Sequence, residues 1–84
     1  MSTTFPFEFN GVEYIADAIV SRNAEHDHYE YYIKIDGDDY WFLKLKKTKD
    51  TYLEEISSSE HISEEMKEAI KKALRNQPEY PYEF

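Results

Sequence analysis

Apolar and polar residues alternate on both sides of the first glycine. Segment 5–9 reads FPFEF, segment 12–20 reads VEYIADAIV, and Asn10-Gly11 lies between them. An Asn-Gly pair between alternating segments predicts a hairpin with a two-residue turn. The turn sets three cross-strand pairs on one face of the sheet: Phe9 with Val12, Phe7 with Tyr14, and Phe5 with Ala16. Because proline cannot donate to a ladder, Pro6 predicts that the first strand lies at a sheet edge.

A second hairpin is predicted around Gly37. Segments 28–35 (HYEYYIKI) and 40–46 (YWFLKLK) have the alternation and the aromatic and β-branched content of strands. An odd loop gathers the strongest hydrophobic side chains on one face: Tyr31, Ile33, Ile35, Trp41, Leu43 and Leu45. An even loop would instead place Tyr40 and Phe42 with the isoleucines. We expect the odd loop, with Gly37 as the left-handed residue of a three-residue turn with a bulge.

Near the C-terminus, apolar residues recur with the period of an α-helix. One apolar stripe has helical spacing and consists of Ile62, Met66, Ala69, Ile70, Ala73 and Leu74. Ser63 is the predicted N-cap, and Asn76 followed by Pro78 ends the helix. Residues 50–57 fit either a short strand or one helical turn, and we favour the strand.

Together these elements predict an α+β fold. An antiparallel meander of four, or five, strands carries one C-terminal helix on one face. At 84 residues the chain is expected to form a single domain, residues 1–84. An extended aromatic tail, residues 77–84, follows the helix and projects Tyr80, Tyr82 and Phe84 to one side. Three outcomes are open for this tail: folding back on its own sheet, disorder, or docking on another molecule.

The charge balance narrows the class of partner. The chain has 18 acidic and 10 basic residues and a formal charge of −8, which predicts repulsion from nucleic acids and anionic membranes. The basic segment 44–49 (KLKKTK) is interpreted as a solvated strand end, with a phosphate-binding strip as the alternative. Cysteine is absent, and no segment resembles a signal peptide or a membrane span. A cytoplasmic location is the expectation.

Catalytic and metal-binding patterns are weak. The segment EHDHYE (25–30) contains His26 and His28, but the sequence implies no third ligand for a closed metal site. The serines at 57–59 lack a surrounding nucleophile motif, and both glycines are assigned to turns rather than to a phosphate loop. We therefore expect no cofactor, no metal and no enzymatic activity. Base stacking on the aromatic sheet is disfavoured by Asp36, Asp38 and Asp39, which flank the second hairpin.

A single helix covers one sheet face, so the opposite face is predicted to be solvated. Five large side chains are nevertheless assigned to it: Ile15, Ile19, Tyr32, Tyr40 and Phe42. Either they stabilise the sheet as cross-strand pairs, or they form a partner-binding surface together with Tyr80, Tyr82 and Phe84. The predicted function is a non-enzymatic protein-interaction module that binds a protein partner, or a second copy, through this face or through an edge strand. Two alternatives are an acidic inhibitor of a basic partner and a small-molecule site between helix and sheet.

Overall fold

The computed structural model describes residues 2–47 and 53–80 as one antiparallel sheet with one helix. The elements in chain order are β1 (Ser2–Phe9), β2 (Val12–Asn23), β3 (His28–Ile35), β4 (Asp38–Lys47), β5 (Leu53–Ser58) and α1 (Glu64–Arg75). Neighbouring strands pair in the order β1-β2-β3-β4-β5. The predicted meander with a C-terminal helix is confirmed, and the ambiguous segment is a strand from Leu53 onward. Residues 50–52 of that segment lie outside the described ranges.

The first hairpin has the predicted register. Phe9 lies opposite Val12, and the pairing continues without a shift to Ser2 opposite Ile19. Asn10 and Gly11 both have positive φ, 53° and 77°, as a type I′ turn requires. Ile15 donates its N–H to Asp36 Oδ1 (2.8 Å) and accepts a bond from Asp36 N (2.7 Å), so both its backbone groups face β3. Its partner on β1, Pro6, therefore has no ladder bond to make, which is why proline is tolerated there.

The second hairpin confirms the predicted faces and corrects the loop. Ile33 lies opposite Leu43 and Tyr31 opposite Leu45, as expected. The turn, however, has two residues, Asp36 and Gly37, with φ of 52° and 73°. A two-residue turn alone would set Ile33 opposite Tyr40; an irregularity in β4, between Asp38 and Phe42, restores Leu43 to that position. The bulge, rather than the loop length, fixes which face of β4 is buried.

Helix α1 begins and ends as predicted and covers one side of the sheet. Ser63 Oγ accepts a hydrogen bond from Met66 N (3.2 Å), and Asn76 is the C-cap. The covered side, called here the inner face, forms a core with the helix: Phe5, Phe7, Ala16, Ala18, Val20, Tyr31, Ile33, Ile35, Leu43, Leu45, Leu53, Ile62, Met66, Ile70 and Leu74. The helix backbone comes closest to β1. No helix in the described ranges is long and apolar enough to cross a membrane.

A buried lysine ties the helix to the far edge of the sheet. Lys67 is 8% exposed, and its Nζ lies 2.6 Å from Glu55 Oε1 on β5 and 3.0 Å from Glu64 Oε1. Hydrogen bonds to Glu55 and then to Glu64 raise the pKa of Lys67 above the usual value of a lysine. The hydrophobic pattern predicts neither the burial of this ammonium nor its partner on β5.

The chain turns back on itself directly after the helix. Gln77 N donates to Leu74 O and Tyr80 N donates to Gln77 O, both at 3.1 Å, so residues 77–80 form turns rather than the extended start of the predicted tail. The turns bring the ring centroid of Tyr80 to 6.4 Å from that of the buried Tyr31. Burial raises the pKa of Tyr80, and Arg75 opposes that shift. Residues 81–84 lie outside the described ranges.

Candidate functional site

The outer face of the sheet, opposite the helix, carries a row of apolar side chains. Ile19 on β2 lies directly opposite Tyr32 on β3. The ring of Tyr32 stacks on that of Phe42 from β4, with centroids 5.5 Å apart and an interplanar angle of 16°. Tyr32 and Phe42 are half-buried, whereas Ile19 is 48% exposed. These residues, together with Ile15 and Tyr40, are called the outer strip.

Ile15 continues this row toward the end of the sheet where both hairpin turns lie, and Tyr40 lies at the same end, in the irregular part of β4 that has no cross-strand partner on β3. Ile15 is 41% exposed and Tyr40 is 88% exposed. Their main chains are held by turn carboxylates: Asp36 Oδ1 accepts from Ile15 N at 2.8 Å, and Asp38 Oδ1 accepts from Tyr40 N at 2.9 Å. Both side chains are thus presented to solvent from a fixed backbone.

Carboxylates surround this end of the outer strip. Glu8 lies directly opposite Glu13 in the first hairpin, a like-charge pair that weakens a sheet. Five acidic residues are called the acidic end: Glu8, Glu13, Asp36, Asp38 and Asp39. Within the outer face, Lys34 Nζ lies 3.1 Å from Asp39 Oδ1, and this hydrogen bond raises the pKa of Lys34. Lys34 therefore forms an ion pair with one of the five carboxylates of the acidic end, that of Asp39.

Both sheet edges are poorly suited to accept a further strand. Pro6 lacks an N–H at the middle of β1, at a position whose backbone points to the open edge. On β5, Leu45 lies opposite Glu55 and Lys44 opposite Ser57, so Ile56 is an extra residue that bulges the edge. Proline and bulges are two ways in which natural sheets prevent pairing at an edge.

His26 in the β2–β3 connection lies close to His28, the first residue of β3. The rings of His26 and His28 are 6.0 Å apart and nearly parallel. His28 Nε2 is buried and lies 3.5 Å from Glu30 Oε1. Over residues 2–47 and 53–80, no group of three or more His, Cys, Asp or Glu side chains is arranged to hold a metal ion. The geometry adds no third ligand to the pair that the sequence contains.

A shallow groove separates the C-terminal half of α1 from β1. Its volume is about 320 Å³, and it is lined by Phe7, Glu8, Ala69, Lys72, Ala73 and Asn76. This volume is at the lower limit of ordinary ligand pockets. The groove corresponds in position to the alternative site predicted between helix and sheet.

The predicted partner-binding residues separate into three groups. The outer strip contains five of them: Ile15, Ile19, Tyr32, Tyr40 and Phe42. Tyr80 lies on the inner side against the core, and Tyr82 and Phe84 lie outside the described ranges. Sequence reasoning did not anticipate that Val12 and Ile56 would be 50% and 43% exposed. The position of Val12 beside the turn was a usable signal, whereas the bulge at Ile56 had none.

Comparisons with protein-family models, with curated proteins and with solved structures give no significant match to this chain.

Proposed function

We propose that this chain is a non-enzymatic protein-interaction module that binds a partner protein through the outer strip. The supporting observation is a row of large apolar side chains on the sheet face opposite the helix, with Tyr40, 88% exposed, beside its end at the second hairpin turn. Removing apolar surface from water contributes roughly 25 cal/mol of favourable free energy per Å². Exposed tyrosines are also frequent binding hot spots, because one rigid ring supplies both apolar area and a hydroxyl.

Stabilisation of the sheet accounts for part of the outer strip and leaves the rest unexplained. The stacked rings of Tyr32 and Phe42 are a stabilising cross-strand contact in their own right. Ile19 keeps about half of its surface in water, and Tyr40 keeps nearly all of it. Intramolecular packing therefore does not explain why isoleucine and tyrosine occupy these two positions.

The face is a better binding surface than either edge. An added strand would need a regular row of donors and acceptors, and Pro6 interrupts that row on β1. The bulge at Ile56 interrupts it on β5. Side-chain contacts across the sheet face have no such requirement.

The test is quantitative affinity capture from cells of the source organism with the full chain. The outer-strip variant combines Ile19→Ser and Tyr40→Ser, and the matched control is Val12→Ser, since Val12 is similarly exposed but belongs to the inner-facing set. We expect a protein that is retained by the wild type and the control and lost with the double variant. Circular dichroism checks that all three chains are folded. Proteins retained equally by all three chains, or by none of them, contradict the proposal.

The groove beside α1 supports a second candidate function, small-molecule binding. Its rim offers Lys72 and Glu8 as polar contacts and Phe7 as an apolar wall. A ligand held there raises the unfolding midpoint of the wild type in a dose-dependent way. Lys72→Ala removes an exposed rim residue, so it should reduce that shift. A compound whose shift is unchanged by the substitution binds elsewhere.

A further inference from the structure

The acidic end lies beside the outer strip, and among the described residues only one of its five carboxylates, that of Asp39, has an ion-pair partner, Lys34. Glu8 and Glu13 face each other across the first hairpin, and no described residue forms an ion pair with either. Asp36 and Asp38 each use one carboxylate oxygen on a backbone N–H, at 2.8 Å and 2.9 Å. Their other oxygens are available at the end of the sheet where Ile15 and Tyr40 are exposed. An apolar contact made here therefore brings its partner against several carboxylates.

We propose, on the basis of the proposed function, that the partner of the outer strip is a basic protein segment. Its apolar side chains cover Ile15, Ile19 and Tyr40, and its arginine or lysine side chains meet the acidic end. Charge complementarity carries the argument: cationic groups relieve the Glu8–Glu13 repulsion, which a neutral partner would leave in place and bury. The formal charge of −8 steers a basic partner toward the chain before contact.

Tyr40 is suited to contact a cation of the partner. The residue is 88% exposed, and its backbone N–H donates a hydrogen bond to Asp38 Oδ1, two positions earlier. An arginine guanidinium stacks on an aromatic ring within about 6 Å of its centre and can also donate to a carboxylate with its remaining N–H groups. An exposed tyrosine close in sequence to three aspartates, Asp36, Asp38 and Asp39, therefore favours arginine over an uncharged group.

A second copy of the chain is a poorer occupant of the same surface. Pairing two outer faces would bring together two chains that each carry a formal charge of −8. Like charges across an interface oppose association. A basic partner is attracted by the same negative charge that would repel a second copy.

The test is a selection of random peptides displayed on phage against the immobilised full chain. Four baits are compared: the wild type, Ile19→Ser/Tyr40→Ser, Glu8→Gln/Glu13→Gln at the acidic end, and Glu25→Gln/Glu54→Gln. The last variant loses the same net charge away from the acidic end. The wild type should enrich peptides that combine aliphatic or aromatic residues with arginine or lysine, and the outer-strip variant should lose them.

Affinities of one synthetic selected peptide then locate the charge effect. Loss of two exposed ion pairs at the acidic end should weaken binding about two- to thirtyfold, and added salt should reduce the wild-type affinity. The control variant should bind within about twofold of the wild type, because its lost charges lie away from the contact.

The outcomes separate the two proposals. Peptides that require the outer strip but show no basic enrichment overturn the basic partner and leave the proposed function standing. Equal weakening by the two charge variants also overturns it, since the effect is then one of net charge. Absence of any peptide that depends on the outer strip overturns both proposals. Concentration-dependent dimerisation that is lost with Ile19→Ser/Tyr40→Ser replaces the basic partner with a second copy.

Discussion

The two faces of the sheet are built from the same strands and the same kinds of residue, yet they have opposite surroundings. On β3, Tyr31 and Ile33 are fully buried on the inner face, while Tyr32 between them lies on the outer face. On β2, Ala18 and Val20 are buried and Ile19 between them is 48% exposed. The difference comes from α1, which covers one face. A large apolar residue on a strand therefore becomes core only where another element covers it.

The largest expected effect is the difference in stability loss between alanine variants of Ile33 on the inner face and Ile19 on the outer face. Ile33→Ala leaves a cavity in the core and should cost about 3 kcal/mol of the free energy of unfolding. That is a large part of the roughly 4–13 kcal/mol expected for a chain of this length. Ile19→Ala on the outer face should cost about 0.5 kcal/mol. Urea denaturation of both variants measures the two values. Equal losses would mean that the outer face is packed as tightly as the core.

A smaller loss of stability is expected when the N-cap of α1, the helix that covers the inner face, is removed. Ser63→Ala removes the oxygen that accepts from Met66 N, so it should cost about 1 kcal/mol. Ser21→Ala, at an exposed position of β2, is the control and should change the free energy of unfolding by less than about 0.5 kcal/mol. Thermal unfolding followed by circular dichroism measures both. If both variants lose the same free energy of unfolding, the hydrogen bond from Met66 N to Ser63 Oγ does not stabilise helix α1.

A still smaller effect tests how far the outer face contributes to stability. The stack between Tyr32 and Phe42 should show a coupling of about 0.5–1 kcal/mol in a double-mutant cycle with alanine. The inner-face stack of Phe7 on Tyr14, with centroids 5.2 Å apart, is the matched pair and should give at least as much. Outer-face coupling near zero would mean that this stack does not stabilise the folded chain.

The smallest expected effect is a change in the pH dependence of stability. The pKa of Lys67 is raised by Glu55 and Glu64, and that of Lys34 by Asp39, so the folded chain holds these protons more tightly than the unfolded chain. Their contribution is complete below about pH 10 and is lost as the pH rises through the folded-state values. Stability should therefore fall with rising pH in the alkaline range.

The two lysines differ in how much of that alkaline loss each should carry. Lys67→Met should flatten the alkaline loss more than Lys34→Met, because water screens the more exposed outer pair. Tyr80, whose pKa is also raised, contributes loss of the same sign in every variant. Denaturation midpoints across the alkaline range measure the slopes. A larger flattening by Lys34→Met would place the stronger ion pair on the outer face.

The elements that could be predicted are those set by short-range chemistry. Asn10-Gly11 determined the first turn and its register, because both residues accept positive φ and strand alternation does the rest. Ser63 determined the start of α1, because its hydroxyl reaches an N–H three residues away. The outer strip was predicted from the same alternation, together with the prediction of a single helix, which can cover only one face of the sheet.

Other features required residues far apart in the chain to meet. The alternation in β3 and β4 predicted which side chains share a face, but the two-residue turn and the compensating bulge are one of several ways to satisfy it. The contact of Lys67 with Glu55 and that of Tyr80 with Tyr31 depend on where the helix and the turns after it lie across the sheet. No local pattern encodes those positions.

The sequence by itself therefore determined the elements, the first turn and the division of strand residues between two faces. These follow from backbone conformation and hydrogen bonds within a few residues, which each segment satisfies wherever it lies. The tertiary structure alone decided where the bulge in β4 falls, which carboxylate receives Lys67, and that Val12 extends beyond the helical cover. Each of these is a compromise between segments whose separation in space is set by packing the whole chain.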